Sequence, residues 1–414
     1  MMGGTRLRSA CVGVMALAVA VTGLAGLGGS ASAQTPKGSP LLIGALETQT
    51  GAAGATGKIT TATDTLAAWA KWTNAHGGIA GHPVKVTVLN DKADPAQAKA
   101  DLKELVEQDN VLAIVGSNAT ATEPGWKDYV DSQKVPVIGG TQYSANWFTD
   151  GLFYPVTTTV ITNIWAQMFA AKNAGKTKLA ALTCSNSTVC QAAVPIIKSA
   201  AVDNGVDVVY NQLADANAVN YTPQCLAMKD AGATVMSPQG VNNVTLIRDC
   251  DRQNFHPLII TTNYGYNLQQ LQTTPQLVGL VGPSPQISPY NQYPATKDFF
   301  SAMKKYAPAY APGGKQYING AMLPAIAAWQ AGQVFAMGIK KSGATSSSQP
   351  TRADLMKGLS TFKNETLGGS NPPLTYTDGT TPNPQVKCFY LYKTGKGKYI
   401  DYKQGSVPKL YCQP

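Results

Sequence analysis

The residues best suited to chemistry in this chain are its cysteines, its three histidines and a few loops rich in Ser, Thr and Gly. Of the seven cysteines, Cys11 lies in an apolar amino-terminal stretch, which leaves Cys184, Cys190, Cys225, Cys250, Cys388 and Cys412. An even number suits disulfides in an exported chain. Six cysteines allow many connectivities. Joining neighbours in sequence gives Cys184–Cys190, Cys225–Cys250 and Cys388–Cys412, the last tying down the tail. The competing reading is a metal or redox site. No C-x-x-C occurs, and His76, His82 and His256 do not cluster with the cysteines. No metal and no cofactor is therefore expected. Enzyme signatures are missing too, with neither H-E-x-x-H nor G-x-S-x-G present. Gly54-Ala55-Thr56-Gly57-Lys58-Ile59 resembles a phosphate loop only loosely, because Ile59 stands where Ser or Thr would hold magnesium.

Two loops could bind without reacting. Ser117-Asn118-Ala119-Thr120 and Gly139-Gly140-Thr141-Gln142-Tyr143 are small, polar and placed before helices. Their backbone N–H groups can hold a carboxylate or another oxygen acceptor. Plain helix capping by Ser and Thr is the alternative for any single residue.

These loops need strands and helices to aim them. Leu41 to Leu46 is an apolar run, and Leu66, Trp69 and Trp72 share one face of a helix over 60–75. A turn at Gly77-Gly78-Ile79 leads to the alternating run Val84 to Leu89. Strand, helix and strand in this order form a right-handed parallel βαβ unit. The alternation continues with strands at 111–115 and 135–138. It restarts with strands at 178–182, 206–210, 234–236 and 258–260, separated by helical stretches. This is the pattern of doubly wound α/β sheets. Residues 282–294 hold four prolines and read as a crossover loop, and 374–376 with 388–392 read as a terminal hairpin.

Residues 1–33 read as a secretory signal peptide. Arg6 and Arg8 precede an apolar stretch, and Ala31-Ser32-Ala33 fits the cleavage site. Cys11 lacks a lipoprotein context, so no lipid anchor is expected. The remainder is long enough for two lobes and holds no second run that would span a membrane. Net charge is +10, or +8 without Arg6 and Arg8, and its lysines are scattered. That reads as a solvated basic surface rather than a nucleic-acid site.

The opening unit carries a resemblance. Ile43-Gly44, Thr50-Gly51, Gly77-Gly78-Ile79 with Gly81 and Pro83, Asp94-Pro95 with Gln97-Ala98, and Val111 to Gly116 occur together in order. The chain resembles solute-binding proteins of the type I periplasmic fold, the leucine/isoleucine/valine-binding group that serves ABC importers. The resemblance implies two doubly wound lobes joined by a three-segment hinge, near Tyr154-Pro155, Gly282-Pro283 and Pro373-Leu374. The lobes would be 41–154 plus 283–373, and 155–282 plus 374–414. It implies an extracytoplasmic monomer that captures a small molecule and hands it to a membrane permease. Ligands of open α/β sheets sit beyond the carboxyl ends of the strands. Ser117, Asn118, Thr120, Gly140, Thr141 and Tyr143 would then face Gln239, Asn263 and Tyr264 across the cleft.

Relatives that bind amino acids pair the ammonium with an acid in the second lobe. This chain has no Asp or Glu between Asp150 and Asp203, nor between Asp251 and Asp298. A buried ammonium without a carboxylate is costly, so a simple amino acid is not the expected ligand. Gln239, Asn242, Asn263 and Tyr264 suit a neutral polar group, and Tyr143, Trp147, Tyr264 and Tyr266 suit stacking or, equally, the core. The rival readings are the sensing module of a membrane receptor and an exported enzyme.

Overall fold

Strand β1, Leu41–Glu47, is apolar along most of its length because helices cover both of its faces. It pairs in parallel with β2, Val84–Asn90, and with β3, Ala113–Ser117. Strands β4, Val137–Gly140, and β5, Phe153–Tyr154, extend the sheet in the order β2-β1-β3-β4-β5, all parallel. This computed structural model describes residues 35–50, 60–186, 188–260 and 264–414. The expected signal peptide over residues 1–33, with Cys11, the segment 51–59 and Asn263 lie outside the described residues.

A second sheet repeats the design. Strands β6, Lys178–Cys184, β7, Asp207–Ala214, β8, Val235–Gln239, and β9, Leu258–Ile259, run parallel in the order β7-β6-β8-β9. A parallel bridge from Ile260 to Val281 leads to β10, Val281–Ser284. Strand β10 pairs antiparallel with β11, Cys388–Gly395, which turns back into β12, Lys398–Asp401. The last strand, Leu410–Cys412, also pairs with β11 and sets Cys412 opposite Cys388.

Two features differ from the expected elements. Gly282 and Pro283 lie within β10 rather than in a loop. The terminal hairpin is β11–β12 alone, and Leu374-Thr375-Tyr376 is not part of it. Tyr376 instead stacks on Phe362, meets Tyr154 edge-on at 5.3 Å and donates its hydroxyl proton to the Pro155 carbonyl.

One helix completes the first sheet from far along the chain. Leu323–Lys341 packs on β3, β4 and the Thr61–Ala75 helix. It approaches closely because its partners lack side chains. A Cβ on Gly116 would lie 3.2 Å from the Ala328 Cα, and one on Gly139 would lie 2.8 Å from the Ala331 Cβ. Both glycines have positive φ, +67° and +60°, which other residues seldom adopt. Gly332 leaves room for the Trp69 indole in the same way.

The three disulfides join Cys184 to Cys190, Cys225 to Cys250 and Cys388 to Cys412, with Cα separations of 5.5, 5.0 and 4.0 Å. No group of His, Cys, Asp or Glu among the described residues could hold a metal ion. No described helix is long and apolar enough to cross a membrane.

Candidate functional site

The carboxyl ends of β3 and β4 carry the first wall. After β3, Asn118 continues the sheet: its N–H donates to the Leu46 carbonyl and its carbonyl accepts from Thr48 N–H. Ser117 is buried, and its hydroxyl oxygen accepts the Leu46 N–H at 3.1 Å. Its carbonyl accepts the Thr141 N–H, binding the two loops together. Gly140 is required there, because φ is +119° and a Cβ would collide with the Ser117 carbonyl oxygen at 2.3 Å.

Buried acids fasten the same loops from behind. Glu47 ends β1 and accepts the N–H groups of Ala62 and Thr63 at 3.1 and 3.0 Å, and also the Thr63 hydroxyl. This places a carboxylate at the amino end of the Thr61–Ala75 helix, where the backbone favours negative charge. Burial still pushes its carboxyl above the usual range, against the opposing hydrogen bonds. Asp91 ends β2 and accepts from the hydroxyls of Thr48 and Thr122. Glu123 accepts from Ser144 and Asn146, and burial raises its carboxyl as well.

The second wall is built on the helix Val160–Asn173. Val160, Asn163, Ile164 and Gln167 fall on one helical face and line a cavity of about 340 Å³. Gln167 is buried, and its Oε1 accepts from the Ser237 hydroxyl and the Gln239 amide, both at 2.5 Å. Gln239 ends β8 and Gly240 follows it. Val189, Cys190 and Ala193, from the helix after β6, close that side. A Cβ on Gly240 would lie 2.6 Å from the Cys184 Sγ and 3.2 Å from the Cys190 Sγ, so the disulfide stiffens this wall.

Thr120 and Tyr143 reach the cavity from the first sheet. Beside it lies a chamber of about 50 Å³, lined by Gly140, Thr141, Gln142 and Tyr143 and by Thr157, Thr158 and Gln286. Tyr143 and Asn163 line both spaces. None of the described residues lining either space is charged.

The structure therefore brings Thr120, Gly140, Thr141, Tyr143 and Gln239 to one crevice. Ser117 and Asn118 lie behind it as supports. Asn242 caps a helix by accepting the Thr245 N–H. Tyr264 is core: its ring stacks on Tyr392 at 4.4 Å and its hydroxyl donates to Asp401 at 3.0 Å. Tyr266 is buried, its N–H donating to the Tyr399 hydroxyl, and Trp147 is buried edge-on to Phe153. Asn163, Gln167, Thr158 and Gln286 are additional lining residues. Asn163 and Gln167 share the i, i+3, i+4, i+7 face of the Val160–Asn173 helix with Val160 and Ile164, but the apolar pattern around them does not mark that face as the inward one.

Comparison with known proteins bears on the fold. A family model described as "Periplasmic binding protein" matches residues 40–398. No curated protein sequence matches significantly. Among solved structures, a branched-chain amino acid ABC transporter protein from Thermus thermophilus with bound valine is similar at TM-score 0.73 and 14% identity, covering 89% of this chain and 96% of that one. A fatty acid ABC transporter substrate-binding protein from Thermomonospora curvata gives 0.70 and 18%, over 90% and 94%. A solute-binding protein from R. palustris in complex with 4-hydroxybenzoate gives 0.68 and 17%, over 91% and 98%. With two doubly wound lobes, a crevice at their strand ends and a family model spanning nearly the whole fold, this chain belongs to the periplasmic binding protein family.

Proposed function

We propose that the protein captures a small molecule with a largely apolar body in the crevice and presents it to the membrane permease of an ABC importer, outside the cytoplasm. The observation that carries this reading is the uncharged cavity of about 340 Å³ whose walls come from both lobes. Val160, Ile164, Val189 and Ala193 offer aliphatic contact, and Thr120, Gln167 and Gln239 offer neutral polar groups. A zwitterionic amino acid would bury its ammonium there with no acidic partner among the described lining residues, which disfavours it. Binding needs no bond to be made or broken. Contacts to both walls favour the closed arrangement of the lobes.

We place the lobe boundaries by contact. Residues 41–154 belong with 285–383, and 155–284 with 384–414. Strand β10 supports a second crossing after Ser284, because it pairs with β11. Asn383 supports a third crossing beyond it, because its amide donates to the carbonyls of Gly151 and Phe153 at the edge of the first sheet. The protein is read as a monomer that binds no nucleic acid.

The test is a thermal-shift screen of amino acids, amides, aromatic acids and aliphatic carboxylates, followed by small-angle scattering. A ligand that raises the melting temperature is expected to reduce the radius of gyration. Tight binding of leucine through its ammonium would overturn the ligand class. Turnover of a bound compound would overturn the binding role.

A further inference from the structure

An open groove of about 600 Å³ shares no lining residue with the crevice. Its spine is the helix Lys297–Tyr306. Lys297, Phe300, Ser301 and Lys304 follow the i, i+3, i+4, i+7 spacing, so they share one helical face, and all four line the groove. The two lysines are exposed and stand about 10 Å apart along the helix axis. Gln292 and Tyr293 join the lining from the segment before the helix. A third cation arrives from the tail, where the Lys403 ammonium lies 5.9 Å from the centre of the Tyr293 ring. No acid lines the groove, and no described carboxylate pairs with any of these three lysines. Asp298 is the one acid of the helix, and its place next to Lys297 turns it about 100° away from the lysine face. Asp401 holds the Tyr293 hydroxyl from the buried side, where the Tyr264 hydroxyl and the Asn291 amide also occupy it.

Three cations without counter-charges, on a chain of net charge +10, draw anions in from a distance and hold them at contact. An ammonium on a flexible stem is a point charge that suits phosphate. Cations strung along a helix face match a chain of charges better than a single ion. The rest of the lining selects among such chains. Tyr293 and Phe300 are each 6% exposed, so neither offers a face on which a nucleobase could stack. The lining comes from a helix and turns and includes no strand edge, so an acidic peptide would find no partner for its main chain. The Ser301 hydroxyl and the Gln292 amide can both donate to phosphate oxygens. We propose that this groove binds a linear phosphate polymer that carries no bases, held by Lys297, Lys304 and Lys403. Such a contact would keep an exported protein among anionic polymers outside the cytoplasm, whatever solute the crevice takes.

The experiment is an anisotropy titration of fluorescently labelled long-chain polyphosphate with the full chain, repeated over a range of salt concentrations. Binding is expected, with a log–log salt slope of about −2, as for three cations on a single-stranded polyanion. Lys297→Gln combined with Lys304→Gln should weaken binding about tenfold or more and flatten the slope by about 0.7 per lysine removed, and Lys403→Gln should act in the same direction. All three side chains are exposed, so the melting temperature should not move. Lys172→Gln combined with Lys176→Gln removes the same charge outside the groove and should change affinity by about twofold at most. An equal loss in that second pair would overturn the proposal by showing attraction to net charge alone. So would an absence of binding, or displacement of the polymer by orthophosphate at equal phosphate concentration. Tighter binding of poly-glutamate or of a single-stranded oligonucleotide than of polyphosphate would overturn it as well.

Discussion

Glu47 is a carboxylate used as a fastener. Its two accepted N–H groups hold the start of a helix, while burial raises its protonation point. The folded protein thus binds this proton more tightly than the unfolded chain, whose glutamates titrate near ~4.3. The contribution of Glu47 to stability should fall as pH rises from that value through the folded one. Glu47→Gln is expected to lower the melting temperature but flatten its dependence on pH across that window. An equal slope in both proteins would contradict the assignment. At this scale the sequence was readable where loops follow strands: Thr120, Thr141, Tyr143 and Gln239 all reach the crevice. Asn163 and Gln167 were hidden because they sit inside an apolar helix pattern, and only the contact with Ser237 and Gln239 reveals which face points inward. Tyr264 misled because a tyrosine after a strand serves a cleft or a core equally well, and here Asp401 claims its hydroxyl.

Among elements, the helix Leu323–Lys341 depends most on small residues. A Cβ on Gly332 would lie 2.4 Å from the Trp69 ring. Gly332→Ala should therefore destabilise the protein by ~1–3 kcal/mol through overpacking, despite the better helix propensity of alanine. Chemical denaturation measures this directly, and a neutral or stabilising result would mean the indole can move aside. The longer strands of both parallel sheets were legible as short apolar or alternating runs, whereas the two-residue β5, Phe153–Tyr154, was not read as a strand. Neither was β10. Its sequence Val281-Gly282-Pro283-Ser284 lacks strand preference, and it forms because β11 supplies the partner. Beyond Val281 it has no second neighbour among the described residues, so Pro283 is tolerated.

At the scale of the molecule, the two-lobe design followed from the alternation of strands and helices. Contacts such as the Asn383 amide with the carbonyls of Gly151 and Phe153 join segments far apart in the chain, and no local pattern encodes them. The tail is secured by Cys388–Cys412, which closes a loop of 24 residues. Replacing both cysteines with serine should cost ~3 kcal/mol, read as a lower denaturation midpoint with the ligand crevice still functional. The bridge between Cys184 and Cys190 carries a different consequence. Because Gly240 rests against its two sulfurs, the bond holds the loop that bears Gln239 in place. Protein harvested from the reducing interior of a production host would arrive with that loop unbraced. Titrations on such material would understate affinity, and re-oxidation before assay should restore it.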